Sequence, residues 1–335
     1  MTERVIEIVG LRKSYGDVEA VAGIDLYVDR GEVFALLGPN GAGKTTTTEI
    51  LEGYLAPTAG STSVLGHDPA KGEQDLKRRI GIVLQSTGVD KFLTVRETIE
   101  MYGGYYPRQR PTEEIIEVVG LSEKTDARVR QLSGGQQRRL DVAIALAGDP
   151  ELLFLDEPTT GFDPSARRNA WEMVKNLVSI GKTVWLTTHF MDEAQYLADR
   201  VAVLAKGSIV AEGSPDSIAG RDRMRTTVRF RPPADAPTPP AWGQVPTGDG
   251  GFVIEAEDAT QVVHDVTGWA IEHNVALELL EVTQPSLEDV YLELTGGEER
   301  APRVRYCDRS GSRTRLSGAT RRRRSLRSCS RCWSS

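Results

Sequence analysis

Residues 38–45 read Gly-Pro-Asn-Gly-Ala-Gly-Lys-Thr, a set of residue types whose spacing suits the binding of a polyphosphate. The octet fits the pattern Gly-x4-Gly-Lys-Thr without a gap or a substitution. Its three glycines let the backbone approach an anion closely, so that successive N–H groups can face one concavity. The Lys44 ammonium can contact β- and γ-phosphates, and the Thr45 hydroxyl can ligate Mg²⁺. This segment therefore predicts a site for a nucleoside triphosphate. Its residues are Gly38, Pro39, Asn40, Gly41, Ala42, Gly43, Lys44, Thr45 and Thr46.

Two adjacent carboxylates follow an apolar run further along the chain. Residues 152–155 predict a buried strand, and Asp156 and Glu157 come directly after it. Mg²⁺ in a phosphate site needs an acidic partner, usually through water because the ion dehydrates reluctantly, and Asp156 fits that role. Glu157 points elsewhere and can polarise an attacking water as a general base. The alternative is an acidic pair that lies in solvent, but the phosphate loop upstream favours the catalytic interpretation.

A second segment also has the residue types to face a phosphate. Leu132-Ser-Gly-Gly-Gln136 opens an apolar helix, and a serine hydroxyl with two glycines at a helix N-terminus suits an anion. Two phosphate-facing surfaces in one chain make sense if two chains pair head to tail and each completes the other's site. The alternative is a simple N-cap in front of a core helix.

These side chains need strands and helices to hold them. Residues 32–37 predict a buried parallel strand before the phosphate loop, and residues 45–55 predict a helix whose N-terminus adds positive potential. This agreement of strand, loop and helix disfavours a chance match to the octet. Residues 1–220 alternate strand-like and helical runs, which indicates an α/β fold with a largely parallel core sheet. The other strands predicted in it are 5–10 and 23–28 as a half-exposed antiparallel part, 152–155, 183–187 and a hairpin at 201–213.

Three further segments differ from this core in residue composition and in predicted secondary structure. From about residue 57 to 130 the strand signal thins and charged helical stretches dominate, so we expect an inserted helical subdomain at about 86–150. Residues 221–297 predict a small accessory α+β domain, and residues 298–335 predict a disordered tail because apolar residues are scarce there. The elements predicted in the accessory domain are strands at 224–230, 252–255 and 276–282, a proline-rich extended loop at 231–247, a helix at 259–274 and a final helix from Ser286.

Charge and cysteine are distributed unevenly along the 335 residues, whose formal net charge is −7. Residues 301–335 hold eleven arginines and a single acid, Asp308, so the rest of the chain is strongly acidic. All three cysteines also lie in this tail, which argues against disulfide staples or a thiol nucleophile in the body. Because the chain has neither a bilayer-length apolar stretch nor the apolar core of a secretory signal, we expect a cytoplasmic protein whose membrane work needs a partner.

The tail itself allows several interpretations. Its arginines suit anionic lipid headgroups or nucleic acid, and Cys329 and Cys332 have the spacing of half a zinc site. A frameshifted or otherwise non-native ending is the interpretation that we favour. The abrupt change to Arg, Ser and Cys after a complete terminal helix motivates it.

The motifs, in their order along the chain, resemble those of the nucleotide-binding subunit of an ABC transporter, and the match covers residues 3 to about 220. The resemblance implies a P-loop NTPase cassette with a mixed core sheet, an antiparallel edge and a helical subdomain. It implies ATP and Mg²⁺ as ligands and ATP hydrolysis as the activity. The catalytic residues that it implies are Glu157, His189 and Gln85. The Mg²⁺ ligands that it implies are Thr45, Gln85 and Asp156.

The resemblance also assigns contacts on both sides of the nucleotide. Tyr15 would stack on adenine, Gln85 would lie between Mg²⁺, the attacking water and the membrane partner, and His189 would contact the γ-phosphate. Ser133 and Gly135 would clamp the γ-phosphate of the opposite protomer's ATP. The ATP-binding residues implied in this segment are Ser133, Gly134, Gly135 and Gln136. The residue implied at the dimer seam is Asp163.

Residues 224–295 resemble the C-terminal domain of bacterial drug- and antibiotic-export ATPases of the daunorubicin-resistance type. This implies a motor subunit that forms a homodimer on a separately encoded permease, peripheral to the cytoplasmic face of the cell membrane. It would drive export of a drug-like, antibiotic or lipid substrate, and no nucleic-acid partner is expected. A nutrient-importer motor and a non-transport ABC ATPase stay open as alternatives. A DNA-repair ATPase of this class would need a long coiled coil between Lys44 and Ser133, and only 89 residues without sustained heptads separate them.

Overall fold

In the computed structural model the chain divides into two compact units, Met1–Glu298 and Glu299–Ser335. The structure describes residues 3–83, 88–218, 225–283, 286–288 and 291, all of which belong to the first unit. The predicted tail lies outside the described residues. So does most of the predicted final helix, of which Leu287, Glu288 and Tyr291 are described and helical.

The described strands and helices follow one another as the α/β prediction requires. In chain order the strands are β1 (Arg4–Tyr15), β2 (Val18–Asp29), β3 (Val33–Leu37), β4 (Ala59–Val64), β5 (Ile80–Val83), β6 (Leu152–Asp156), β7 (Thr183–Thr188), β8 (Arg200–Ala205), β9 (Ser208–Gly213), β10 (Thr226–Arg231), β11 (Val245–Pro246), β12 (Phe252–Ala256) and β13 (Leu279–Thr283). The helices are α1 (Lys44–Leu51), α2 (Gln74–Arg79), α3 (Val95–Gly103), α4 (Thr112–Val118), α5 (Gly134–Leu146), α6 (Pro164–Ser179), α7 (Met191–Leu197) and α8 (Ala259–Glu272).

A six-stranded sheet in the order β5-β6-β7-β3-β8-β9 carries the candidate site. Its first five strands are parallel and β9 pairs antiparallel with β8, which confirms the predicted parallel core and the hairpin at 201–213. Both faces are covered, so β3 and β7 are buried along their whole length; β3 is entirely apolar, and β7 combines Val184, Trp185 and Leu186 with three buried threonines. Since the carboxyl ends of parallel strands share one edge, the segments that follow β3, β6 and β7 come together there.

Two apolar clusters cover the two faces of this sheet. On one face Trp185 stacks on Phe34 with ring centroids 5.4 Å apart, in a cluster that includes α1 and the three-stranded antiparallel sheet β2-β1-β4. On the other face Ala35, Leu155 and Leu186 belong to a cluster with residues of α3 to α7. The alternation between faces along each strand is the two-residue period of an extended chain.

The segment at 57–130, where the sequence shows little strand signal, contains two strands. β4 is an edge strand rich in small polar residues with only Thr62 and Val64 buried, and β5 has four residues, too few to show a period. Between residues 88 and 150 the structure describes α3, α4 and α5 with short 3₁₀ turns, and the predicted strand-poor character holds there. The first helix ends at Leu51 rather than at residue 55, and Gly53 follows with a left-handed φ of 81°.

The accessory region forms its own four-stranded antiparallel sheet in the order β11-β12-β10-β13. Its core cluster consists of Val228, Phe230, Ile254 and Val266, the last of them on α8. The predicted strands and helix are thus present, and the proline-rich loop contains in addition the short edge strand β11. After this sheet Leu287 packs into the apolar cluster that contains Leu155 and Leu186, and the accessory region belongs to the same compact unit as the six-stranded sheet. A domain boundary at residue 220 stays a prediction.

Candidate active site

The phosphate loop follows β3 directly and passes close to two neighbouring carbonyl groups. α1 begins at Lys44 with Gly43 as N-cap at a φ of 107°, and Gly41 has a φ of 80°. A Cβ built on Gly43 would overlap the Ala20 carbonyl oxygen, and one built on Gly38 would overlap that of Leu204. Glycine is therefore required at both positions, as the close approach of the loop backbone to its neighbours demands.

Lys44 brings a buried cation to this edge of the sheet. The residue is 4% exposed, and Nζ donates hydrogen bonds to the carbonyl oxygens of Gly38 (2.8 Å) and Pro39 (3.2 Å). It also lies 3.4 Å from Glu157 Oε1. The ammonium thus holds the loop to α1 and forms an ion pair with the carboxylate predicted to be the general base.

Glu157 adopts a left-handed backbone conformation with a φ of 44°, which is unusual for a residue with a Cβ. Its N–H donates to the Thr187 carbonyl oxygen and hydroxyl, both at 3.1 Å, and its Oε2 accepts from Thr160 Oγ1 at 3.1 Å. Its Oε1 lies 3.2 Å from His189 Nδ1. Burial acts to raise the pKa of the Glu157 carboxyl, but His189, Lys44 and Thr160 together hold that pKa below its usual range. The carboxylate is therefore ionised and able to accept a proton.

Asp156 lies one residue earlier, on the opposite side of the strand end. Its Oδ1 accepts a hydrogen bond from the Thr187 hydroxyl, and its backbone oxygen accepts from an Arg138 guanidinium nitrogen at 3.1 Å. Asp156 and the exposed Thr45 line one cavity of about 230 Å³. The other described residues that line it are Thr48, Glu49, Glu52, Tyr54, Ile82 and Val83. A carboxylate and a hydroxyl that share a cavity are oxygen donors of the kind that Mg²⁺ takes, so these residues fit the ion.

Glu52 adds a second acidic group to this cavity, which sequence reasoning missed. Burial raises the pKa of its carboxyl to about 8, and the nearby Asp156 and Glu49 carboxylates add to the rise. A single acid at the end of a helix carries no sequence signal that marks it as buried.

His189 follows β7 and is held by its neighbours. Its ring lies against that of Phe190 with centroids 4.1 Å apart, and the Arg167 guanidinium lies 4.1 Å from the Phe190 centroid. The sheet therefore brings Lys44, Glu157 and His189 together, as their positions after three neighbouring strands predict.

The second predicted phosphate surface is separate from the first. Ser133 is the N-cap of α5, and its hydroxyl accepts from Gln136 N–H (3.3 Å) while Gln136 Oε1 accepts from Ser133 N–H (2.9 Å). This segment lines a cavity of about 570 Å³ together with Asp163, which caps α6 through Ser165 N–H and Ala166 N–H. Among the described residues that line it, none belongs to the phosphate loop.

Tyr15, the residue predicted to stack on adenine, lies at the end of β1. It is 49% exposed, and Lys13 Nζ lies 5.3 Å from its ring centroid. Gln85 lies outside the described residues. Besides Glu52, sequence reasoning missed Thr187, which contacts both acids of the site, and Glu193, a buried acid on α7. The signal for Glu193 was an acid four residues before Leu197 on the apolar face of α7.

A parallel sheet with a glycine-rich phosphate loop after one strand and an acid at the end of a neighbouring strand defines a P-loop nucleoside triphosphatase. Comparison with known proteins narrows this class. A sequence profile of the family described as ABC transporter matches residues 21–160. The daunorubicin resistance ATP-binding protein of Streptomyces coeruleorubidus is 37% identical over 311 residues, which cover 90% of this chain and 98% of that protein. The Nod factor export ATP-binding protein I of Rhizobium sp. (strain N33) is 40% identical over 315 residues, which cover 89% and 99%. The chain belongs to the ATP-binding subunits of ABC transporters.

Solved structures agree with this assignment. An ATP-binding cassette of an ABC transporter in its ADP conformation matches with a TM-score of 0.58 and 26% identity, over 64% of this chain and 92% of that one. A dimeric cassette in a post-hydrolysis state, bound to ADP and Pi, matches with a TM-score of 0.54 and 27% identity, over 62% and 98%. The chain is accordingly an ATP hydrolase of the ABC type. Within the described residues, no helix combines the length and the apolar character that crossing a membrane requires.

Proposed function

We propose that two copies of this chain pair head to tail, bind and hydrolyse two ATP molecules between them, and drive export through a separate permease. The observation that carries the proposal is the division of the phosphate-facing residues between two cavities. Lys44 and Thr45 act at one end of the core sheet, whereas Ser133 and Asp163 line a cavity to which the phosphate loop contributes no described residue. One chain thus presents two halves of different sites, and a second copy in reversed orientation supplies the missing halves.

Within each composite site the residues have distinct roles. The phosphate-loop amides and Lys44 bind the β- and γ-phosphates, and Tyr15 stacks on the adenine. Glu157 accepts a proton from the attacking water, because its carboxylate is ionised and lies at the strand end. His189 contacts the γ-phosphate and, through its proximity to Glu157, orients the carboxylate. Ser133 and Gly135 of the opposite protomer close the site.

Thr45 and Asp156, with Gln85 as the ligand that sequence resemblance adds, would hold Mg²⁺. When bound, the ion would neutralise charge on the phosphate oxygens. Thr187 orients Asp156 toward the cavity through the hydrogen bond from its hydroxyl. The described residues thus include both a candidate ligand and the group that positions it.

The relatives support export as the direction of transport. The alignment with this chain covers almost the whole length of both relatives cited above, and their names describe daunorubicin resistance and Nod factor export. We therefore assign export of a drug-like, antibiotic or lipid molecule, with the subunit peripheral to the cytoplasmic face of the membrane. Closure of the dimer on ATP would drive the change in the permease. Near-complete switching from the open to the closed dimer requires ATP to favour the closed state by about 5 kcal/mol.

A complementation experiment tests the head-to-tail arrangement. Lys44→Ala and Ser133→Arg chains, each inactive alone, are mixed and their ATPase rate is measured. A composite site predicts recovered activity, because the mixed dimer holds one site with intact Lys44 and Ser133. If both residues served the same chain's site, the mixture would stay inactive and the proposal would fail.

The role of Glu157 is tested by Glu157→Gln against Glu117→Gln, an exposed glutamate on α4. We expect Glu157→Gln to lose ATPase activity and to form a dimer that depends on ATP, measured by size analysis with and without nucleotide. Glu117→Gln should behave as wild type. An active Glu157→Gln variant would contradict the assignment of the base.

For export, cells that carry the chain and its permease should accumulate less daunorubicin than cells that carry the Glu157→Gln chain with the same permease.

A further inference from the structure

Glu193 is a buried carboxylate that the proposed reaction does not use. It lies in the first turn of α7 and is 0% exposed. Its Oε1 accepts hydrogen bonds from Thr159 Oγ1 at 2.8 Å and from Trp171 Nε1 at 3.1 Å. Burial raises the pKa of the Glu193 carboxyl, while hydrogen bonds from Thr188, Thr159 and Trp171 act to lower it. This acid therefore joins α7 to α6 and to the turn that follows β6.

Thr159 belongs to the turn that sets the direction of the Glu157 side chain. Glu157 has a left-handed φ, a conformation that persists only where the surroundings hold it. The turn continues with Thr160 N–H donating to the Glu157 carbonyl oxygen (3.3 Å) and Phe162 N–H donating to that of Thr159 (3.1 Å). Thr159 is itself buried, and its hydroxyl is bound to Glu193. The anchor of this turn is thus a side chain of another element.

The same stretch of chain that carries Glu193 also carries His189. A second contact fixes this stretch to α6, because Arg167 lies over the Phe190 ring and 3.3 Å from Asp192. His189 and Glu193 therefore lie on one segment that contacts α6. Holding Glu193 in place thus helps to hold His189 at its distance from Glu157.

We propose that Glu193 is a positioning residue for ATP hydrolysis, which holds the turn 157–160 so that the Glu157 carboxylate faces His189 and Lys44. The inference rests on the proposed role of Glu157 as the general base. None of the three hydrogen-bond donors to Glu193 among the described residues, Thr159, Trp171 and Thr188, is itself a phosphate-loop residue. Removal of Glu193 therefore changes the turnover number and leaves nucleotide affinity as it was.

Steady-state and single-turnover ATP hydrolysis of Glu193→Ala and Thr159→Val test this role. Both variants remove the same hydrogen bond, and we expect each to lower kcat about 10- to 100-fold, the range that misplacement of a catalytic group produces. KM for ATP should stay within about two-fold, since neither substitution removes a side chain that contacts ATP. The kcat of the double variant should be no lower than that of the slower single variant, because both changes act through one contact.

Two milder variants separate positioning from general damage. Glu193→Gln keeps a carbonyl oxygen that can accept both hydrogen bonds, so its kcat should stay within about three-fold of wild type. Trp171→Phe removes the Trp171 hydrogen bond to Glu193 without touching Thr159, and its kcat should match wild type. If Glu193→Ala fails to fold, the pair Thr159→Val and Glu193→Gln still decides the question.

The proposal is overturned if kcat of Thr159→Val equals that of wild type, if the losses appear in KM or in affinity for ATP, or if the two losses add in the double variant. Its failure is distinguishable from failure of the proposed function. If Glu157→Gln is inactive and Thr159→Val is fully active, only the positioning role of Glu193 is rejected. Glu157→Gln active rejects the assignment of the base itself.

Discussion

The buried acid Glu52 makes stability depend on pH in a way that the structure quantifies. The pKa of its carboxyl is raised from 4.5 to about 8 by burial and by the Asp156 and Glu49 carboxylates. The folded state therefore holds the proton more tightly than the unfolded state, and the free energy of unfolding falls as pH rises from 4.5 to about 8. At pH 7 the folded state keeps this proton while the unfolded state has released it, which destabilises the fold by about 3 kcal/mol at 1.4 kcal/mol per unit; solvent screening of a half-buried group reduces this to about 2 kcal/mol.

Glu52→Gln removes the ionisable group and keeps the shape of the side chain. We expect the variant to be more stable than wild type by about 2 kcal/mol at pH 7, with the difference shrinking toward zero near pH 4.5. The assay is urea unfolding, followed by tryptophan fluorescence at several pH values between 4.5 and 8.5. EDTA is present and nucleotide is absent, so that no ligand binds beside the carboxyl. Glu117→Gln, at an exposed position, is the matched control and should show no such pH dependence. A stability difference between Glu52→Gln and wild type that stays constant over this range would refute the reasoning.

Two further changes follow from the same structure. Arg79, with Arg30, lowers the pKa of Glu151 to about 2 against the effect of burial, so this carboxylate stabilises the fold above pH 4.5 and ceases to do so as pH falls toward 2. Glu151→Gln should lower the free energy of unfolding by about 1 kcal/mol at pH 7, after discounting for solvent, and by nothing near pH 2, as measured by urea unfolding; a loss that persists in acid would contradict this. Gly43→Ala should abolish ATP binding measured by calorimetry, because φ is 107° and a Cβ has no room, whereas Gly268→Ala on α8, where a Cβ meets nothing, should bind as wild type. Retained affinity in Gly43→Ala would show that the loop can move aside.

The phosphate loop was predictable because its signal is local. Strand, glycines, lysine and helix start lie within about twenty consecutive residues, and each has a physical reason to be where it is. The core strands were predictable for the same reason, since a parallel strand buried on both faces is a continuous apolar run. β4 lacked this signal because a small-residue edge strand draws its stability from pairing with β1 rather than from its own side chains.

Residues whose role depends on contacts between distant segments could not be found from the sequence. Thr187 is an ordinary strand residue until the fold places it between Asp156 and the Glu157 amide. The spacing of Glu193 from Leu197 places it on the apolar face of α7, but its contact with Thr159 depends on the fold. The neighbouring acid Asp192 stays exposed. The sequence specifies the chemistry of the site, whereas the orientation of that chemistry is a property of the folded chain.

The ion pair between Lys44 and Glu157 links substrate binding to the strength of the base. In this structure Lys44 is one of the groups that lower the pKa of Glu157, together with His189. On the proposed binding mode, a γ-phosphate that takes the Lys44 ammonium would remove part of this stabilisation and bring negative charge closer. Both effects act to raise the pKa of Glu157, whereas the charge of a Mg²⁺ ion at Asp156 would act to lower it. A general base works best when its pKa approaches the ambient pH, so the balance of these charges would set how readily Glu157 accepts the proton of the attacking water.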